Sequence, residues 1–264
     1  MQVLALVNQK GGCGKTTAAV NFAAALAAKG RRVLLVDLDP QAHATMALGW
    51  AVADEPVLLE VLQGHSGVDE ALVSAPGGFW LLPATDDLAE FEESSARSLH
   101  PESMLRDALA ETRTQFDEVI LDCPPRVDGV LAANALRACN TAVLVVETGA
   151  FALQGAIKAL TILERIQEDL ETRFDVRVLG TLFDRRTRFA RELLIAMYGR
   201  FESSMFDTVI RTSVRLREAA GMGVPVQSLD PGCRAADDFM ALAEEWLRDR
   251  AVTPLEPEAA SVQR

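Results

Sequence analysis

Short apolar runs recur along this chain, and between them apolar residues return every three or four positions. Val3–Val7, Val33–Asp37, Phe79–Leu82, Val119–Asp122 and Ala142–Val146 have the make-up of buried strands, and Val176–Phe183 and Met205–Ile210 read as two more. The helical period runs through Thr16–Lys29, Glu102–Thr112, Leu153–Asp169, Ala190–Phe201 and Ala235–Arg250. In the second of these, Met104, Leu105, Ala108 and Leu109 fall on one face. Strand and helix alternating in this way predict an α/β fold, a mostly parallel twisted sheet with helices on both faces.

Composition narrows the organisation. A chain of 264 residues that is 49% apolar can bury one sizeable core, which predicts a single domain over residues 1–250. The stretch 251–264 carries Pro254 and Pro257 among polar residues and reads as a frayed tail. No run approaches the roughly 18 apolar residues of a membrane span, and the start lacks the basic-then-apolar layout of a secretory signal. A cytoplasmic protein is expected. Cys13, Cys123, Cys139 and Cys233 are scattered without a Cys-x-x-Cys pair, which argues against a zinc site or a disulfide framework.

The net charge of −12 excludes a chain that coats nucleic acid with its whole surface. Between Arg173 and Arg217, however, ten arginines face five acids, so one face is expected to be basic. Lysine is rare. Only Lys10, Lys15, Lys29 and Lys158 occur, and two of them fall within one glycine-rich loop, where a compact ammonium suits phosphate oxygens.

That loop, Lys10-Gly-Gly-Cys-Gly-Lys-Thr-Thr17, follows a predicted strand and opens a predicted helix, the context a phosphate-binding loop needs. Gly11, Gly12, Cys13 and Gly14 can turn successive backbone N–H groups inward as an anion-binding nest, and the helix N-terminus adds its positive end. Lys15 is placed to reach the β and γ phosphates of ATP, Thr16 to ligate Mg²⁺, and Thr17 completes the cradle. Gln9 stands where the strict G-x-x-x-x-G-K-T pattern has its first glycine, so the loop is of the deviant form with an extra lysine. Asp37 and Asp39 leave the C-terminal end of the second strand and Asp122 ends a later one, the edge at which open α/β sheets bind ligands. Asp122 should hold a Mg-bound water, as the acid after such a strand does.

With its further motifs, Val33-Leu-Leu-Val-Asp-Leu-Asp-Pro-Gln-Ala-His-Ala-Thr45, Val119-Ile-Leu-Asp-Cys-Pro-Pro125, Ala152-Leu-Gln-Gly155 and Val214-Arg-Leu-Arg-Glu-Ala219, the chain resembles the ParA/Soj family of partition ATPases from about Val3 to Arg250. The wider group includes MinD and the nitrogenase iron protein. The resemblance implies that Asp39 orients the attacking water and that Asp37 is a metal-shell or structural acid. It implies that Lys10 crosses the interface of an ATP-sandwich homodimer to touch the partner's phosphates. It implies further that ATP-bound dimers bind double-stranded DNA without sequence preference, placing the protein on the nucleoid, and that a ParB-like or cargo-adaptor protein stimulates a slow hydrolysis. Arg185, Arg186, Arg188, Arg215 and Arg217 are the candidate DNA contacts. A departure lies at the base-binding end, where Arg211, Thr212 and Ser213 replace the family's Pro-Arg-Asn; Ser213 could bond the adenine and Arg211 stack on it.

Two other readings follow from the same group. A membrane-bound regulator of division or pole positioning like MinD needs a C-terminal amphipathic helix, which the proline-bearing tail does not offer. A metal-cluster carrier like the iron protein needs thiolates gathered at a dimer axis, and only Cys123 has matching context, so Cys13 and Cys123 read as small space-fillers. Trp50, Trp80 and Trp246 read as packing anchors and His43 as a solvated side chain.

Overall fold

The computed structural model describes residues 1–51, 56–95, 99–126 and 129–252; the expected tail lies outside the described residues from 253 onward. The central strands are β1 (Gln2–Val7), β2 (Val33–Asp37), β5 (Glu118–Asp122) and β6 (Thr141–Glu147). Each is apolar on both sides because each faces helices on both sides. The period of two sorts their side chains between two cores: Val3, Ala5 and Val7 of β1 point into one, Leu4 and Leu6 into the other.

The sheet has seven strands in the order β3-β4-β2-β5-β1-β6-β7, where β3 is Val73–Ala75, β4 is Phe79–Leu82 and β7 is Asp175–Thr181. All pairings are parallel except β3 with β4, which run antiparallel at one edge. On one face lie α3 (Leu58–Leu62), α4 (Leu88–Ser94), α5 (Met104–Ala110), α6 (Val130–Ala138), α7 (Ala152–Asp169) and α8 (Arg188–Phe201). On the other lie α1 (Lys15–Ala28), α2 (His43–Ala47), α9 (Val214–Gly221), α10 (Val226–Leu229) and α11 (Arg234–Val252). The doubly covered parallel sheet expected from the sequence is the fold observed. Helix α1 is buried from Ala18 through Leu26, pressed between the sheet and α11, and Phe22 meets Trp246 edge-on at 6.5 Å between ring centroids.

Several elements differ from expectation. Met205–Ile210 makes no ladder. It touches β7 only at its two ends, through the Met205–Val178 bridge and the Ile210 N–H donating to the Gly180 carbonyl at 2.9 Å, because in between the N–H groups of Asp207 and Thr208 donate to the Glu245 carboxylate at 2.6 and 2.8 Å. The last strand stops at Thr181 rather than Phe183 because Leu182 turns into the left-handed region at φ 54°. The helix expected at 102–112 opens as a 3₁₀ turn, Pro101–Ser103, before α5. Helices α2, α3, α4, α6, α9 and α10 and strand β3 were not among the predicted elements; most are too short for a periodic signal.

The topology fixes where a ligand can sit. Strand β1 lies between β5 and β6, so the connections that leave its neighbours part at its C-terminal end. A crevice opens there, at the point where the strand order reverses. In the β2–β5 register, Asp37 lies directly beside Asp122.

Candidate active site

Strand β1 releases the chain at Val7 and α1 takes it up at Lys15, so residues 8–14 bridge a strand end and a helix start. Gly12 and Gly14 adopt φ of 77° and 87°, a conformation that other residues enter only at a cost. Gly14 caps α1 without offering a side chain, and no acid occupies the first turn, so neither a side-chain cap nor a fixed negative charge occupies that helix start. Two side chains brace the loop. Asn8 accepts the Lys10 N–H at 2.9 Å and donates to the Val145 carbonyl. The Thr181 hydroxyl, at the end of β7, donates to the Cys13 carbonyl at 2.7 Å.

Gly11 and Gly12 are exposed, Thr16 and Thr17 half-buried, and Cys13 and Lys15 buried. Burial pushes the Cys13 thiol above its ordinary pKa, against the pull of Lys15. A neutral, enclosed thiol fits the space-filling role expected of it.

The three aspartates are brought together, in unlike states. Asp37 is fully buried, and both of its oxygens are engaged: one accepts the N–H and hydroxyl of Thr45, each at 2.8 Å, and the other the Asp39 N–H at 3.2 Å. Its carboxylate thereby holds the segment 39–45 in place. Asp39 is buried and accepts the Gln41 N–H at 2.9 Å. Asp122 is fully buried; among the described residues no donor meets either oxygen in full hydrogen-bond geometry, and the Thr16 hydroxyl acts on it only as a loose donor. Burial, and after it the Asp37 carboxylate, push the Asp122 pKa up, while the nearby Thr16 hydroxyl and Lys15 ammonium draw it down.

A buried carboxylate with two unmet oxygens is costly unless something arrives to meet them. With the Thr16 hydroxyl beside it, the donor set is all oxygen and hard, which suits Mg²⁺. The described residues hold no cluster of three or more His, Cys, Asp or Glu in metal-binding array. Magnesium does not need one, since it takes one or two protein oxygens and fills the rest with phosphates and water.

Lys10 leans across the loop to Glu147, the last residue of β6, at 2.6 Å, and keeps 68% of its side chain exposed. Sequence reasoning missed Glu147 and Thr181, although each ends a strand at the same sheet edge as the aspartates. That shared position was the available signal.

At the segment expected to bind the base, the structure gives Arg211 and Ser213 other partners. The Arg211 guanidinium forms a two-pronged ion pair with Asp238 of α11 and also donates to the Arg234 carbonyl at 3.0 Å. Ser213 caps α9, accepting the Arg215 N–H at 3.2 Å. The arginines of the expected basic face sit on two helices whose leading segments meet, since Phe183 donates to the Ile210 carbonyl at 3.1 Å and accepts the Thr212 N–H at 3.2 Å. Arg185, Arg186 and Arg188 lie at the head of α8 and Arg215 and Arg217 on α9, helices packed on opposite faces of the sheet, while Arg177 is tied inward to Asp249 and lies over Phe206. Arg186 grips Asp184, Arg188 grips Glu192 and Arg215 grips Glu218 and Asp230; Arg185 and Arg217 are exposed without an ion pair among the described residues.

A protein family described as an AAA domain matches residues 1–176 of the chain. The sporulation initiation inhibitor protein Soj of Bacillus subtilis is 36% identical over 92% of this chain and 97% of its own. The chromosome-partitioning ATPase Soj of Thermus thermophilus is 41% identical over 92% of this chain and 94% of its own. Among solved structures, cobyrinic acid a,c-diamide synthase from Mycobacterium smegmatis with bound ATP analog and magnesium superposes with a TM-score of 0.85, at 33% identity over 98% of this chain and 99% of that one.

Proposed function

The chain belongs to the Soj/ParA family of partition ATPases, and from that premise we propose that it is a Mg²⁺-dependent ATP hydrolase that positions or segregates a cargo by an ATP-switched dimer. The observation that carries the reading is the fully buried Asp122 carboxylate, met in full geometry by no donor among the described residues and flanked by Thr16 and Lys15, at the foot of a glycine-rich loop that opens α1 without a side-chain cap.

In this reading the backbone of Gly11–Gly14 and the hydroxyls of Thr16 and Thr17 cradle the triphosphate, and Lys15 neutralises its charge from below. Thr16 and Asp122 would hold the metal, with Asp37 behind them as the acid that fixes the Asp39–Thr45 segment. Bound Mg²⁺ supplies positive charge to the phosphate oxygens during transfer. Asp39 orients the attacking water and excludes other approaches to the γ-phosphate. Lys10 leaves Glu147 and lends its ammonium to the phosphates of a second copy, as an arginine finger does.

The ATP-bound dimer then holds duplex DNA through Arg185, Arg186, Arg188, Arg215 and Arg217, contacts that are sequence-blind and weaken with salt. Hydrolysis, slow until a ParB-like or cargo-adaptor protein stimulates it, releases the DNA. The site of action is the nucleoid in the cytoplasm. The chromosome-partitioning names of the relatives support this reading, and no helix among the described residues is long and apolar enough to cross a membrane.

The test is Lys10→Ala. It should still bind a fluorescent ATP analogue, yet lose both hydrolysis and the nucleotide-driven dimer in sedimentation; unchanged turnover would overturn the trans role of this lysine.

A further inference from the structure

Residue Thr181 stands where three parts of the proposed cycle meet. Its hydroxyl donates to the Cys13 carbonyl inside the phosphate loop at 2.7 Å and is buried, and a Cβ placed on Gly14 would lie 3.9 Å from it. Its own carbonyl accepts the Thr148 N–H at 3.0 Å, and the Thr148 hydroxyl reaches the carbonyls of Thr181 and Leu182 at 3.3 and 3.2 Å. Thr148 follows Glu147, the residue that holds Lys10. One step further along, Phe183 is bonded on both sides to the base-binding segment, donating to the Ile210 carbonyl at 3.1 Å and accepting the Thr212 N–H at 3.2 Å. Next come Asp184 and the arginines that lead into α8.

The kink between these contacts is strained. Leu182 sits at φ 54°, a left-handed conformation that a residue with a Cβ enters only at a cost. Such a conformation persists only where its surroundings impose it. Here the ties to Thr148 and to the 210–212 segment do so.

We propose that Thr181 is a positioning residue through which occupancy of the phosphate loop sets the placement of the arginine segment 184–191. The inference rests on the DNA-binding reading given above. Its physical basis is the rigid peptide plane. The Cys13 carbonyl and the Gly14 N–H belong to one trans unit and point in opposite directions. A hydroxyl fastened to the carbonyl therefore aims the N–H away from Thr181, and a phosphate that draws the N–H moves the carbonyl with it. The hydroxyl passes that displacement to a backbone kink, and the kink leads directly to Arg185. Coupling of this kind is reciprocal, so DNA on the arginines tightens the loop on nucleotide by the same factor.

The experiment compares wild type, Thr181→Val and Thr181→Ser. Affinity for a random-sequence duplex is measured without nucleotide and at a saturating non-hydrolysable ATP analogue with magnesium, with dimer formation read by sedimentation in the same samples. Saturation makes the ratio of the two affinities independent of any loss in nucleotide binding. In Thr181→Val the ratio should fall at least about fivefold, the lower end of common coupling factors, while the dimer still forms. Thr181→Ser, which keeps the hydroxyl, should stay within about twofold of wild type. Thr148→Ala cuts the second tie and should lower the ratio in the same direction, so the idea remains testable if Thr181→Val does not fold. A wild-type ratio retained by Thr181→Val and Thr148→Ala overturns the inference and leaves the DNA reading standing. Loss of the dimer together with the ratio also overturns it, because Thr181 would then be only a part of the nucleotide loop. A wild-type ratio of one removes the DNA reading itself.

Discussion

Glu118 and Asp122 begin and end the same strand, and both carboxylates are buried, yet the fold treats them in opposite ways. At the N-terminal end, Glu118 accepts the Trp246 indole N–H at 3.3 Å and faces the Arg31 guanidinium at 3.5 Å; beside it Asp117 pairs with Arg32. At the C-terminal end, no donor meets either Asp122 oxygen in full hydrogen-bond geometry among the described residues, the Thr16 hydroxyl acting only as a loose donor. Burial raises the pKa of both; at Glu118 the Trp246 bond, Arg250 and Arg31 resist it ahead of a small push from Asp117, whereas at Asp122 the Asp37 carboxylate is the largest cause after burial, ahead of the resistance of Thr16 and Lys15. The contrast separates a buried acid that closes the structure from one kept open for something yet to bind.

The comparison breaks most visibly at hydrolysis. Asp122→Asn should lower phosphate release by about a thousandfold, roughly 4 kcal/mol of transition-state stabilisation. Activity within tenfold of wild type would show that the open carboxylate is not at the reaction. Glu118→Ala should do the reverse. It strands the Trp246 N–H and leaves Arg31 facing a void, which should cost on the order of 2 kcal/mol in urea unfolding, with turnover within about threefold.

A finer test uses pH on nucleotide- and magnesium-free protein. The folded pKa of Asp122 lies above its unfolded value, so the folded state binds the extra proton in the interval between them. Its contribution to stability is therefore complete at low pH and lost as pH rises from about 4 toward and through the folded pKa. Thermal melts from pH 5 to pH 8 should show wild type losing stability across that range and Asp122→Asn losing less. Identical slopes would mean that Asp122 is already ionised when folded. The smallest effect belongs to the exposed pair. Glu147→Gln should shift the melting temperature by no more than about 1 °C, because an ion pair this open to solvent contributes little.

Much of the site was legible in the sequence because it is local. A glycine-rich turn between a strand and a helix carries its own geometry, and Lys15 and Thr16 are placed by the first turn of α1 whatever surrounds it. Asp37 and Asp122 were legible as acids that end apolar runs. Their different fates were not. Thr45 could be known to consume Asp37 only once the chain had returned through α2, and the engagement of Arg211 by Asp238 required α11 to be docked.

The sequence by itself determined the alternation of strands and helices, the phosphate loop and the edge at which chemistry would gather, because each depends on dihedral preference and side-chain period over a few residues. Tertiary structure alone decided that Lys10 rests on Glu147 and that Thr181 props the loop at Cys13. Those contacts join positions far apart along the chain that become neighbours only when β6 and β7 line up beside β1. Register within a sheet is a property of the assembled strands, and no single segment contains it.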